Sequence, residues 1–162
     1  MKRIWLAALA VLTLGTAAHA QDAAEIARVQ SGHDCPRCNL FQADLSYLDL
    51  PGIDVSGARL RQASLALATM NGAHFDGTDL SVANMFGGRF TSASFRNANL
   101  TRANLVGAYL HSADLSGARL DGANLSGAEL GTTRNLTQAQ LNTACGDAST
   151  ELPAGLHIPF CR

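Results

Sequence analysis

From residue 40 to residue 130 every fifth position is apolar, nineteen times without an exception: Leu40, Leu45, Leu50, Val55, Leu60, Leu65, Met70, Phe75, Leu80, Met85, Phe90, Phe95, then Leu at each fifth residue from Leu100 to Leu130. Two residues before each of them sits a small slot. It holds Ala at fourteen positions and Cys38, Leu48, Ile53, Thr78 or Gly88 at the other five. This period excludes the two ordinary elements. Five residues of α-helix advance about 500°, which smears Leu around every side. In a flat strand an odd period sends successive Leu to opposite faces. Two positions separated by two residues do share a direction in a short extended stretch. Each repeat therefore reads as an extended segment with Leu and Ala inward, followed by a corner. Ser56-Gly57, Asn71-Gly72, Asp76-Gly77, Ser116-Gly117, Asp121-Gly122 and Ser126-Gly127 supply turn formers at those corners. Corners that always turn the same way close the chain into a coil, and stacked coils pair their backbones at about 4.8 Å.

The motif Ala-(Asp/Asn)-Leu-x-x, seen at Ala43-Asp44-Leu45, Ala98-Asn99-Leu100, Ala103-Asn104-Leu105, Ala113-Asp114-Leu115 and Ala123-Asn124-Leu125, resembles the pentapeptide-repeat family. The resemblance implies an all-β solenoid: a right-handed quadrilateral β-helix with four repeats per turn. Nearly five coils then make a prism roughly 24 Å tall. Twenty-residue stacking places Phe75 directly beneath Phe95 and lines up Asn84, Asn104 and Asn124 as an outward ladder. Leu48 and Ile53 are too large for the small slot and flank Pro51-Gly52, so the first coil is expected to be irregular.

The chain divides into four parts. Residues 1–20 read as a secretory signal. Lys2 and Arg3 precede an uncharged apolar stretch, and Ala18-His19-Ala20 sets cleavage between Ala20 and Gln21. The stretch is shorter than the ~20 residues a spanning helix needs, so the mature chain has no membrane span. Residues 21–38 form an N-terminal cap with a short helix over Asp22 to Gln30. Residues 39–131 are the β-helix. Residues 132–162 form a C-terminal cap, in which Thr137-Gln138-Ala139-Gln140 is a capping-box pattern opening a helix to about Ala144, with Gly146 as its stop. Leu156, Ile158 and Phe160 alternate and are expected to lie over the last coil. Such lids are needed because a stacked coil exposes core and unpaired backbone at both ends.

Four Cys in an exported chain read as two disulfides. The ends of the prism lie some 20 Å apart, well beyond the ~7 Å Cα limit for a bridge. Cys35 is therefore assigned to Cys38, and Cys145 to Cys161. Cys35-Pro36-Arg37-Cys38 also has the spacing of a redox dithiol, and a thiol-disulfide function is the alternative it carries. His33 beside this pair lacks the further ligands of a tetrahedral metal site. His74 shares an outer face with Asp54, Asp76 and Asp114, a set that on a β-helix more often solvates a face than binds a cation. No nucleophile-base set, phosphate-cradling loop, cofactor motif or metal constellation emerges.

Beyond residue 20 the chain carries ten Arg against thirteen Asp and Glu, a net charge of −3. That disfavours a nucleic-acid partner. It also disfavours the DNA mimicry by which, as the resemblance implies, some cytoplasmic members block topoisomerases. Tyr47, Leu67, Phe86 and Val106 fall at outward or corner positions on the side of the Asn ladder, an apolar column suited to binding protein. The sequence thus points to an exported, non-enzymatic scaffold or interaction module, periplasmic or extracellular in a bacterium. Its expected partner is another protein, a homodimer included.

Overall fold

The computed structural model describes residues 22–162, so the expected signal and its cleavage point at Ala20–Gln21 lie outside the described residues. From Asn39↔Arg59 to Asp114↔Arg134, each outward residue between a small slot and a Leu slot forms a parallel bridge with the residue 20 positions on, without a slip. Four five-residue repeats therefore complete one turn, and the coil has four sides. Each side contributes a single bridging residue, too short a stretch to count as a continuous strand. The bonds are nonetheless regular: Leu45 N–H donates to Ser64 C=O at 2.8 Å and Ser64 N–H to Ala43 C=O at 2.9 Å, and this pattern repeats around the coil. At the corners the small-slot N–H donates back to the preceding Leu-slot carbonyl, as in Ala43 to Leu40 and Ala103 to Leu100, both 3.0 Å.

The Leu and Ala slots fill the interior, and Leu40, Leu60, Ala73, Phe75, Phe95 and Leu125 are fully buried. Phe75 and Phe95 stack as expected, with ring centroids 4.8 Å apart and planes 2° from parallel. Phe90 packs its edge against both, at 6.0 and 5.7 Å. This triad explains one departure from the repeat. A Cβ at Gly88 would lie 2.6 Å from the Phe90 ring, so the large residue in one slot requires the absence of a side chain in the other. Thr78 occupies a small slot by donating its hydroxyl to Val55 C=O at 3.0 Å, since a buried hydroxyl needs a partner. The expected irregularity of the first coil is local. Leu48 is only partly buried, and the corner bond from Ile53 N–H to Leu50 C=O stretches to 3.4 Å, while Thr69 N–H still reaches Leu48 C=O at 2.8 Å.

The stack reaches further at both ends than the 39–131 boundary. Cys35 N–H donates to Asp54 C=O and Arg37 N–H to Ser56 C=O, so Cys35 to Cys38 is already a corner of the coil. Helix α1 (Ala23–Gln30), N-capped by the Asp22 carboxylate, lies at this end. Side chains from α1 and the loop after it satisfy the open edge. Glu25 accepts from Asn39 N–H, Gln30 donates to Asp44 C=O, and Asp34 accepts from Asp54 N–H. At the other end α2 (Gln138–Leu141) opens with the expected capping box between Thr137 and Gln140. It stops at Leu141 rather than near Ala144, because the chain must return to the ladder: Leu125 N–H donates to Cys145 C=O, and Cys145 N–H to Ala123 C=O. Gly146 is therefore not a helix stop. It bridges Phe160, accepting from Cys161 N–H. The Gln140 amide donates to Leu115 C=O and Ala118 C=O, both at 2.8 Å, in place of a further coil. Leu156 and Ile158 pack on the core, but Phe160 does not: it points outward and is 72% exposed, while Cys161 beside it turns toward Cys145.

Candidate interaction face

Each of the four faces has one column of outward residues. Asp49, Thr69, Arg89, Tyr109 and Glu129 line one; Asp54, His74, Ser94, Asp114 and Arg134 the next; Asn39, Arg59, Asp79, Asn99 and Arg119 the third. The fourth column reads Asp44, Ser64, Asn84, Asn104 and Asn124, so above Asp44 it carries no charge. Its amides form the expected ladder, with Asn104 Nδ2 donating to Asn84 Oδ1 at 3.1 Å. Tyr47, Leu67, Phe86 and Val106 stand along one edge of this face. The first three are 76%, 44% and 46% exposed, and Val106 is half-buried. Two members escaped the sequence reading. Val82, 43% exposed, stands on the opposite edge, and Phe160 bridges Gly146, the neighbour of the Cys145 that stacks on Asn124, at the C-terminal end of this face. Among the described residues, every exposed large hydrophobic side chain thus belongs to one of four faces.

The corners carry a second signal. The second corner residue has positive φ throughout the repeats, as a type II turn requires, and glycine fills about half of these places. Tyr47 (φ 61°), Leu67 (φ 57°) and Val82 (φ 59°) adopt the same left-handed conformation, which is unfavourable for bulky residues and most of all for a β-branched one. The coil above explains one glycine. A Cβ at Gly87 would meet Leu67 Cδ2 at 2.7 Å, because the Leu67 side chain folds up along the edge toward Gly87.

The other candidate groups are held by structural partners. Cys35 and Cys38 lie at bonding distance, with Cα atoms 5.5 Å apart, as do Cys145 and Cys161 at 4.8 Å. Cys35 takes a Leu slot and Cys38 a small slot, and both are buried. The i to i+3 spacing of a CxxC pair equals that of the two corner slots. His74 stacks between Asp54 and Ser94, but the Arg96 guanidinium lies 3.8 Å from Asp76 and 4.0 Å from Asp114, which places a positive charge inside the acidic set. The hollow bounded by Pro36, Arg37, Ser56, Gly57 and Asp76 is open to solvent. No described helix is long and apolar enough to cross a membrane.

The carboxylates titrate as parts of the corners. The Ser46 backbone N–H holds Asp44 below the usual carboxylate range, the Ser56 hydroxyl does so for Asp54, the Asn135 amide for Asp114 and the Ser149 hydroxyl for Asp147. A folded-state pKa below the unfolded one contributes stability that is present at neutral pH and is lost as pH falls through the folded value. Thermal melts followed by circular dichroism should give a midpoint that is level from about pH 7 to 5 and falls below about pH 4. A level midpoint down to pH 3 would show that these bonds contribute little.

A four-sided coil with Leu and Ala inward at every fifth and third place defines a repeat protein of the β-helix class. The chain belongs to the pentapeptide-repeat family. The family model for pentapeptide repeats (8 copies) matches residues 38–77, 63–102 and 88–127, and the family's fold is the right-handed quadrilateral β-helix. A pentapeptide repeat protein of the Arabidopsis thaliana thylakoid lumen is 32% identical, over 75% of this chain and 83% of its own, with a TM-score of 0.42. One from the cyanobacterium Cyanothece 51142 is 26% identical, over 80% of this chain and 97% of its own, with a TM-score of 0.45. QnrB1, a plasmid-mediated fluoroquinolone resistance protein, is 15% identical over 79% of this chain and 86% of its own, with a TM-score of 0.40. No curated protein matches the chain. Proteins of the family are generally structural or interaction scaffolds rather than enzymes.

Proposed function

We propose that the protein is exported by its first twenty residues and acts outside the cytoplasm as a non-catalytic scaffold. In this reading a right-handed prism of nearly five coils is closed by a helix at each end and held by the Cys35–Cys38 and Cys145–Cys161 disulfides. It docks a protein through the face of Ser64, Asn84, Asn104 and Asn124. The observation that carries this is the sorting of side chains: the central column of one face lacks charge above Asp44 and the face gathers Tyr47, Leu67, Val82, Phe86 and Phe160, with Arg61, Arg102 and Asp121 confined to the Val82 edge, while the other three columns are charged. Depletion of charge together with enrichment in aromatic and aliphatic side chains is what separates an interface core from ordinary surface.

Thiol exchange through Cys35 and Cys38 has less support, since a redox-active sulfur must be reachable and both residues are buried in the coil. DNA mimicry has less still, with ten Arg spread among thirteen acidic groups beyond residue 20. A photo-reactive residue placed at Phe86 in the exporting cell should give a discrete protein adduct identifiable by mass spectrometry, while the same residue at Arg119, on the charged face next round the prism, should not. Equal labelling from both positions would refute an interaction face.

A further inference from the structure

We infer that a second face of the prism, the one beside the Asn ladder, lies flat on the surface of an anionic phospholipid bilayer. Its central column is Asn39, Arg59, Asp79, Asn99 and Arg119. The corner bonds of successive coils mark its two edges. One edge carries Arg37, Asp76 and Arg96, the other Arg61, Arg102 and Asp121. Six Arg therefore share this face and its corners with three Asp, a net charge of +3. The rest of the chain beyond residue 20 holds four Arg and ten acidic residues. The other three faces, taken with their corners, are neutral or negative. A chain that is acidic as a whole thus has one basic side. The caps leave it so. Glu25, at the end of the central column, accepts from Asn39 N–H and has Arg28 near it on α1, and α2 sets no charge above Arg119.

The layout selects the kind of anion. Arg37, Arg61 and Arg102 are exposed and, among the described residues, make no ion pair or side-chain hydrogen bond. Arg59 lies across the Phe41 ring, 5.0 Å from its centre. The hollow beside Arg37 is open to solvent, so a small anion has nothing to enclose it. A linear polyanion follows one line of charge, and each line here is interrupted. Asp76 stands between Arg37 and Arg96, Asp79 between Arg59 and Arg119, and Asp121 follows Arg102. A bilayer meets the face as a plane instead. Its potential reaches about 8–10 Å from the headgroups, so it acts on the summed charge of the whole side. Beyond residue 20 the chain has Arg but no Lys. The planar guanidinium fork matches a phosphodiester where an ammonium is only a point charge.

A four-sided coil resting on this side holds the Asn ladder upright, with the Tyr47 and Phe86 edge farthest from the lipid. The inference therefore stands apart from whether a protein docks there.

Sedimentation of the full chain, processed as the cell processes it, with phospholipid vesicles tests this. Vesicles of phosphatidylcholine with about one-third phosphatidylglycerol are compared with pure phosphatidylcholine. Each Arg near an anionic surface is worth about fivefold, so three net charges predict partitioning on the order of 100-fold higher on the anionic vesicles, lost as salt rises from about 50 to 500 mM. Arg37→Gln with Arg102→Gln, on opposite edges, should lower it about 25-fold and leave the melting temperature in place. Arg89→Gln with Arg162→Gln removes the same charge away from this side and should cost less than about threefold. Equal losses from the two pairs would overturn the inference, because overall charge would then set the binding. So would equal uptake by the two kinds of vesicle. Complete release by heparin at an equal concentration of negative charge would overturn it in favour of a linear polyanion. A protein adduct from the photo-reactive residue at Arg119 would overturn it in favour of an acidic protein, while the adduct from Phe86 reports on the neighbouring face alone.

Discussion

Phe95→Ala should lower the stability of the folded chain by about 3–5 kcal/mol, the range for truncating a large aromatic in a core that cannot collapse around the gap. Collapse is unusually hard here. The Phe95 ring lies 4.8 Å from Phe75 and 5.7 Å from Phe90, while Ala93 and Ala98, the small slots on either side, are already minimal. The backbone around the hole is tied to the coils above and below: Phe95 N–H donates to Asp114 C=O at 2.8 Å, and Phe75 N–H to Ser94 C=O at 2.7 Å. Neither can move inward without breaking a ladder of bonds. Phe95→Leu should be far milder, below about 1.5 kcal/mol, since Leu is the usual occupant of this slot and the aromatic stack alone is lost. Chemical denaturation followed by circular dichroism measures both. Equal effects for Ala and Leu would mean that ring stacking, rather than filled volume, carries the stabilisation.

Removing the C-terminal bridge ranks next. Cys145→Ser with Cys161→Ser opens a loop whose ends are 16 residues apart, worth about 3 kcal/mol in the chain-entropy model. The local geometry explains why this bridge matters to more than its own loop. Cys145 lies in the ladder, bonded to Ala123 and Leu125, and Cys161 reaches it after a tail that packs Leu156 and Ile158 over the core. Without the bridge the tail is tied mainly by the bonds between Gly146 and the backbone of Pro159 and Cys161, and by Gln138 to His157. Reductant should therefore lower the melting temperature of the native chain by more than that of the double variant, which has only the short Cys35–Cys38 loop left to open. If reductant shifts both equally, the remaining Cys35–Cys38 pair carries the effect instead. That pair closes a much shorter loop, worth about 2 kcal/mol in the same model.

Much of the candidate site was legible before any coordinates. Tyr47, Leu67 and Phe86 could be placed on the side of the Asn ladder because a twenty-residue turn makes register a matter of counting. Val82 stands at the same height as Phe86 but at the opposite corner, so counting along the Tyr47–Val106 edge does not reach it. Phe160 was misplaced for a different reason. Alternation in Leu156, Ile158 and Phe160 suggests one buried side, but the pull of Cys161 toward Cys145 reverses the sense of the strip at its last step. Gly146 was misread because glycine after a capping-box helix is a common stop, whereas here the ladder ends the helix first.

The repeat by itself determined the path of the chain, since two inward residues in every five admit no straight rod and no flat ribbon. It also determined the inward slots; the Phe75–Phe95 stack and the Asn ladder needed in addition the four repeats per turn that the family resemblance implies, because stacking at a constant interval converts position in the sequence directly into position in space. The tertiary structure alone decided what depends on neighbours one coil away. Gly88 is glycine because the Phe90 ring turns across the coil into that slot. The corner residues are left-handed because the turn must close a square. The caps take their form from side chains such as Gln140 that reach carbonyls more than twenty residues back in the chain. A five-residue pattern records which side of the backbone faces in, but not which way a side chain leans once it is there.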